Sequence, residues 1–269
     1  MFFKEAECNM NHPLLNIAIQ AARVAGKLIA RSLDHLEAGD ITQKQKQDFA
    51  TRVSAAAEEE MIAIIREAYP DHTILAKESG EHNSNSDAQW IIDPLDGSTN
   101  FIHGIPHFAV SIGVKVKNNL EAGMIFDPIK NELFVAARGR GAMLNNRKIR
   151  VSNCQKLESA LIATGLLSHD DLSCQKGSET LSDLMPKIAG IRCFGTAALD
   201  LAYVAAGRFD GCFESGLKAW DIAAGALIVK EAGGLVSDLN GKEEYLKSGN
   251  IVAANLKLHP ALLQVLARK

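Results

Sequence analysis

Trp90-Ile91-Ile92-Asp93-Pro94-Leu95-Asp96-Gly97-Ser98-Thr99-Asn100-Phe101 is an apolar run that ends in two carboxylates three residues apart, followed at once by glycine and two hydroxyl residues. A short, bulky apolar run bounded by polar residues predicts a buried strand. Pro94 and Gly97 predict a turn directly after it. In such a turn Asp93, the Leu95 carbonyl and Asp96 can converge on one point, and an all-oxygen set is what Mg²⁺ takes. The N–H groups after Gly97 would open a helix toward the same point, which suits a phosphate. The plainer alternative is an ordinary Asp-Gly turn capped by Ser98, and the rest of the chain must decide between them.

Upstream, Leu14, Ile17, Ala18, Ala21, Val24, Ala25 and Leu28 recur at helical spacing. After the Gly39-Asp40 break and a polar stretch from Thr42 to Asp48, Val53, Ala56, Ala57, Glu60, Met61, Ile64, Ile65 and Ala68 predict a second helix ended by Pro70. Two helices thus precede the first strands, Ile74-Leu75-Ala76 and Trp90-Ile91-Ile92. Downstream, residues 107–116 alternate through Phe108, Val110, Ile112, Val114 and Val116, and turn residues at regular spacing predict an antiparallel meander to about Val151. Beyond it, short strands near 160–163, 191–194, 209–213, 235–237 and 251–254 alternate with helices over 197–206 and 222–232. The chain therefore divides into an α+β half, residues 1–150, and an α/β half, residues 151–269, packed as one compact unit.

A chain of 269 residues can bury a large core, and 47% apolar with 23% charged residues is globular composition. A net charge of −3 supplies no field for a polyanion, so no direct nucleic-acid binding is expected. No apolar run approaches the ~18 residues of a membrane span. The start Met1-Phe2-Phe3-Lys4-Glu5 reaches an acid within a few residues and lacks a continuous apolar stretch, so no signal peptide is expected, and the first nine residues read as an extension. Five cysteines without a C-x-x-C pair are expected as reduced thiols, hence a cytoplasmic protein.

A second segment, Trp220-Asp221-Ile222-Ala223-Ala224-Gly225, places an acid where a strand gives way to a small-residue helix. Alone it reads as an N-cap aspartate. An aspartyl-phosphate mechanism needs D-x-D, whereas the first motif is D-x-x-D with Leu95 between, so that chemistry is disfavoured. Together the two segments resemble the signatures of the inositol monophosphatase family. Pro106-His107-Phe108-Ala109-Val110-Ser111, Asn131-Glu132-Leu133-Phe134, Gly195-Thr196-Ala197-Ala198-Leu199-Asp200, Gly216-Leu217-Lys218 and Glu231-Ala232-Gly233-Gly234 extend the resemblance over nearly the whole chain from His12. It is nearest to the bacterial inositol-1-monophosphatases.

The resemblance implies a five-layer αβαβα sandwich of the sugar-phosphatase type, usually homodimeric. It implies a Mg²⁺-dependent, lithium-sensitive phosphomonoesterase acting on inositol-1-phosphate or a related sugar phosphate. Carried over by position, Asp93, the Leu95 carbonyl, Asp96 and Asp221 are the metal ligands. Ser98 stands where the family usually has threonine and, with Asp93 and Asp221, is assigned to catalysis. Gly97 and Ser98 would bind the phosphate, and Gly195, Thr196, Ala197 and Glu214 the polyol hydroxyls. Bacterial members also resemble partners of the transcription machinery, so a regulatory binding protein with little or no turnover is the alternative expectation. The histidines, His103 and His107 included, are expected to carry no chemistry.

Two positions depart from the family pattern, both on the side that activates water. Where the family has two consecutive glutamates before serine, this chain reads Ala76-Lys77-Glu78-Ser79, so a cation replaces a metal ligand. Where the family has the aspartate that supports the nucleophilic water, this chain has Ser54. An ammonium ~4.5 Å from Mg²⁺ would repel it by roughly 7 kcal/mol at an effective dielectric of 20. The expectation is a weakened nucleophile site, fewer bound ions, and a Lys77 ammonium near the vacated position; Glu78 as a replacement ligand is the alternative.

Overall fold

The computed structural model describes residues 10, 12–33, 41–45, 48–165 and 171–266, and the expected N-terminal extension lies outside them. Two helices, α1 (Pro13–Ser32) and α2 (Arg52–Ala68), form the outer layer. Pro13 sits at the start of α1, where its missing N–H leaves no bond unmade. Between the helices lies an antiparallel hairpin, β1 (Ile41–Gln45) and β2 (Asp48–Thr51), which the sequence reading left as a polar break. A hairpin this short carries no apolar alternation, so hydrophobic pattern could not announce it.

The second layer is an eight-stranded sheet. It contains β3 (Thr73–Ala76), β4 (Gly80–His82), β5 (Ala88–Asp96), β6 (Ala109–Val116), β7 (Asn119–Asp127), β8 (Glu132–Ala137), β9 (Ala142–Leu144) and β10 (Arg147–Ile149), in the order β10-β9-β8-β7-β6-β5-β3-β4. From β5 to β10 it is the expected antiparallel meander; β3 alone runs parallel to its neighbour β5. The two-residue period sorts the faces. Trp90, Ile92, Val110, Ile112, Val114, Met124 and Phe126 pack under α1 and α2, while Ala109, Ile125, Phe134 and Ala136 face the opposite way.

On that opposite face lie α5 (Ala197–Ala205), buried throughout, and α6 (Ala219–Glu231), buried over residues 222–229. A five-stranded sheet follows, β12-β11-β13-β15-β14, from β11 (Leu161–Thr164), β12 (Gly190–Arg192), β13 (Gly211–Glu214), β14 (Gly234–Ser237) and β15 (Ile251–Asn255). Its far face is covered by α8 (Leu258–Leu266), against which α4 (Asp171–Leu184) packs. The result is the expected five-layer αβαβα sandwich. Two short helices, α3 (Ser98–Ile102) and α7 (Tyr245–Ser248), and two 3-10 turns, Leu157–Ser159 and Met185–Lys187, also lie among the described residues. No helix among them is long and apolar enough to cross a membrane. Cys154, Cys193 and Cys212 are free thiols.

The small residues after Asp221 explain how α6 fits between two layers. A Cβ on Gly113 of β6 would stand 2.7 Å from the Ala223 Cβ, and one on Gly123 of β7 would stand 2.8 Å from the Ala224 carbonyl oxygen. On the helix's other side, a Cβ on Gly225 would meet Leu201 of α5 at 2.6 Å. Glycine on the strands and alanine-glycine on the helix thus let α6 lie directly on sheet backbone, which fixes where Asp221 arrives. Gly123→Ala is expected to destabilise the chain by ~1–3 kcal/mol, because the opposing atom is backbone and cannot turn aside. A lowered denaturant midpoint at unchanged slope is the readout.

Candidate active site

Strand β5 does not turn at Pro94: it stays extended through Asp96, and the register against β6 shifts between Asp93 and Asp96. This corrects the expected turn at that proline. The ring's fixed φ is compatible with a strand, and its missing N–H falls in the irregular stretch where the ladder is interrupted. The reversal comes at Gly97, whose φ of 88° is left-handed. A Cβ there would also press on the Thr196 methyl at 2.9 Å and the His107 carbonyl at 3.0 Å. Ser98 then begins α3, as expected.

The shifted register brings the expected oxygens together. Asp93, Asp96 and Asp221 each offer a carboxylate oxygen within 4.8 Å of the others, and among the described residues no other such acidic group exists. Each is held from outside the group. Asp93 Oδ1 accepts from the Leu95 N–H at 2.9 Å, and Asp96 Oδ2 from the Ala198 N–H at 2.8 Å. Asp221 is not the N-cap of α6 but its third residue: Lys218 is the cap, and its N–H donates to Asp221 Oδ2 at 2.7 Å. Burial, and then the neighbouring charges of Asp93 and Asp221, push Asp96 well above the usual carboxylate range.

Into this cluster reaches Lys77. Its Nζ donates to Asp93 Oδ2 at 3.0 Å and to the Leu95 carbonyl at 3.2 Å. The placement follows from topology. Because β3 runs parallel to β5 with Ala76 opposite Ile92, the next residue of each strand lies side by side, and the Lys77 N–H continues the pairing to the Ile92 carbonyl. Burial alone would favour the neutral amine, but Asp93, then Asp221 and Asp96, outweigh it and raise its affinity for the proton. Lys77 therefore stays charged rather than shedding its proton. Three carboxylates make an all-oxygen set suited to Mg²⁺, while the corner between Asp93 Oδ2 and the Leu95 carbonyl holds an ammonium.

Ser54 and Glu78, the other two residues of the altered side, touch one another, the Ser54 hydroxyl donating to Glu78 Oε1 at 3.0 Å. Beneath them Glu58 accepts from the N–H groups of Glu78 and Ser79, both at 2.7 Å, and so fixes the turn that carries Lys77. Sequence reading missed Glu58, placing Glu60 on the helix's apolar stripe instead. The buried stripe of α2 is Ser54, Ala57, Glu58, Met61 and Ile65, whereas Glu60 is exposed. The signal was available: Glu58 lies four residues after Ser54 and three before Met61, in register with an i, i+3, i+4 pattern.

The residues that the resemblance assigns to the polyol begin next to the cluster, where the Ala198 N–H meets Asp96. Gly195 has a left-handed φ of 76°, and Thr196 caps α5, its side chain accepting from the Leu199 N–H at 3.1 Å. Ala197 follows at the first position of that helix, and the next N–H is the one that holds Asp96. Asn100, given no role by the sequence, ties the first motif to the Gly195 turn by donating to the Phe194 carbonyl at 2.7 Å, and also donates to the His107 carbonyl at 2.8 Å. Glu214 closes β13; burial, then Asp200, Asp96 and Asp221, push its carboxyl well up. His107 is pushed down to about 4 by burial and the nearby Lys130, and its ring lies edge-on to Phe194 at 5.1 Å.

A second buried acid was also missed. Asp200 in α5 is 1% exposed, and burial pushes it up to about 7 from an ordinary 3.8. Between those values the folded chain keeps a proton that the unfolded chain has lost, so stability falls as pH rises from about 4 to about 7 and then levels. The whole shift corresponds to about 4 kcal/mol at most. Asp200→Asn should remove that slope, so its advantage in melting temperature over the parent should grow from pH 5 to pH 8.

Within the αβαβα sandwich the carboxylate cluster is built from Asp93 and Asp96 at the end of β5 and Asp221 in the first turn of α6. The chain belongs to the inositol monophosphatase family, whose model matches residues 10–269. It is 50% identical over 256 residues to the Nus factor SuhB of Pseudomonas aeruginosa, covering 93% of this chain and 94% of that protein. Among solved structures it resembles the extragenic suppressor protein SuhB of Bartonella henselae, with 41% identity, a TM-score of 0.91 and coverage of 96% and 99%. The inositol monophosphatase of Anabaena matches with 36% identity, a TM-score of 0.82 and 94% of each chain.

Proposed function

We propose that the chain binds a phosphorylated polyol or sugar over the Asp93, Asp96 and Asp221 carboxylates and hydrolyses its phosphomonoester slowly with Mg²⁺. The observation that carries this is the Lys77 ammonium, 3.0 Å from Asp93 Oδ2 beside the three-carboxylate cluster. A Mg²⁺ held by Asp93, Asp96 and Asp221 would polarise the phosphoryl group and acidify a water. The chain's own residues do the rest. Ser98 at the start of α3 and the Gly97 backbone receive phosphate oxygens, and Lys77 attracts them as a point charge. Gly195, Thr196, Ala197 and Glu214 meet the hydroxyls. Ser54 in place of an acid leaves the attacking water without a strong base, so turnover is slow. Homodimerisation, lithium sensitivity, a cytoplasmic location and the joining of 1–150 and 151–269 as one unit belong to the same reading.

Phosphate release from inositol-1-phosphate, fructose-1,6-bisphosphate and adenosine 3′,5′-bisphosphate, with and without Mg²⁺, is the test. Slow release, dependent on Mg²⁺ and selective for one substrate, is expected. Metal-independent release, or none together with no binding of any of the three, would overturn the reading. A second reading, a regulatory protein of the transcription machinery, is favoured by the name Nus factor carried by the Pseudomonas relative. Binding of the phosphorylated ligand without any release would shift the balance to it.

A further inference from the structure

Both amide protons of Asn100 go to carbonyls of other segments, that of His107 at 2.8 Å and that of Phe194 at 2.7 Å, the latter 94 residues away in sequence. The base of the side chain is fixed as well, because the Asn100 main-chain carbonyl accepts from the Ile105 N–H at 2.8 Å. Gly195 lies against the amide: a Cβ there would stand 3.4 Å from Asn100 Nδ2. The turn that opens α3 and the turn that opens α5 therefore meet twice, here and where Gly97 faces the Thr196 methyl. The Phe194 ring is flanked by His107, with centroids 5.1 Å apart, and by Phe209 at 5.9 Å. Phe194 is nonetheless 40% exposed, so water could satisfy its carbonyl. What water could not do is hold the two turns at one separation.

Resting on the reading proposed above, we infer that Asn100 is a positioning residue that sets the spacing between the phosphate turn, residues 97–98, and the polyol turn, residues 195–197, and thereby determines selectivity for a polyol phosphate over bare phosphate. Bare phosphate engages only the first turn. A polyol phosphate spans both, so it alone feels a change in their spacing. The carboxylate cluster does not depend on the same bond: α5 is buried throughout and capped by Thr196, and its Ala198 N–H holds Asp96.

Calorimetry on the full chain, with Ca²⁺ in place of Mg²⁺ to prevent turnover, tests this with two probes, inositol-1-phosphate and inorganic phosphate. Asn100→Ala, which leaves room for water at both carbonyls, should weaken inositol-1-phosphate binding ~10-fold, the scale of one ordinary hydrogen bond, and leave phosphate binding within about twofold. Asn100→Leu, close to asparagine in volume but without a donor, should give the same split. Should the leucine variant not fold, the alanine variant carries the comparison alone. Equal loss for both probes, no loss for either, or a loss in the leucine variant only would overturn the assignment. Melting temperatures taken alongside separate the two roles: a variant that melts lower yet keeps the parent's ratio of the two affinities would show a purely structural asparagine and overturn it as well. If the unmodified chain binds neither probe, the phosphorylated-polyol reading itself fails, an outcome separate from these.

Discussion

Asp221→Asn should reduce Mg²⁺-dependent phosphate release by ~10³-fold or more while leaving the melting temperature near that of the parent. The substitution keeps an acceptor for the Lys218 N–H, which caps α6, so the helix should hold its position. Only the charge is lost. One unit charge at ~4 Å contributes about 4 kcal/mol at an effective dielectric of 20, already about 10³-fold, and a divalent ion feels it twice over. Asp93→Asn should match it in turnover but not in stability. Its Oδ2 pairs with Lys77, and removing one partner of a buried pair leaves the ammonium uncompensated. A melting temperature lower in Asp93→Asn than in Asp221→Asn is therefore the second readout. Undiminished release in Asp221→Asn would remove that residue from the metal assignment.

Lys77→Glu combined with Ser54→Asp should raise kcat by at least ~10², the lower range for a group that activates water. The double substitution replaces an ammonium that repels a divalent ion by one more carboxylate beside Asp93, Asp96 and Asp221. It also restores an acid next to Glu78. Four carboxylates in one buried place repel each other, so the variant should melt below the parent in chelator and well above its own metal-free value in millimolar Mg²⁺. The parent, whose cluster already contains a cation, should show the smaller magnesium shift. If the parent turns over briskly and the variant gains neither rate nor magnesium dependence, Lys77 and Ser54 do not weaken the site, and Glu78 becomes the ligand to test.

The layer order was legible because each layer announces itself by period. Alternation through Val110, Ile112 and Val114 marks a strand, although β6 is buried on both faces, and the small residues of Ala223-Ala224-Gly225 mark a helix pressed onto backbone. The carboxylate cluster was legible as a set of residues but not as a path. Pro94 signalled a turn, yet the strand continues to Asp96, because a register shift, invisible in one strand's own residues, absorbs the proline. Position of the departures was legible too: Lys77 stands one residue past β3, and parallel pairing with β5 puts it beside Asp93. Hidden from sequence were the contacts between distant segments. Glu58 under the Lys77 turn, Asn100 between the first motif and Phe194, and Asp200 in α5 all depend on which side of a helix turns inward, and a run such as Glu58-Glu59-Glu60 offers three choices a residue apart.

The Lys77–Asp93 pair has a bearing on cell chemistry. A dissolved ion obeys mass action: it leaves when a chelating nucleotide competes for it or when its free concentration falls. A tethered ammonium is present at one per chain under every condition, and its donors already satisfy Asp93 Oδ2 and the Leu95 carbonyl. The surface this side of the cleft shows to a ligand is for that reason the same in magnesium-rich and magnesium-poor surroundings. On the reading proposed above, that constancy of the Lys77 corner is the counterpart of slow turnover.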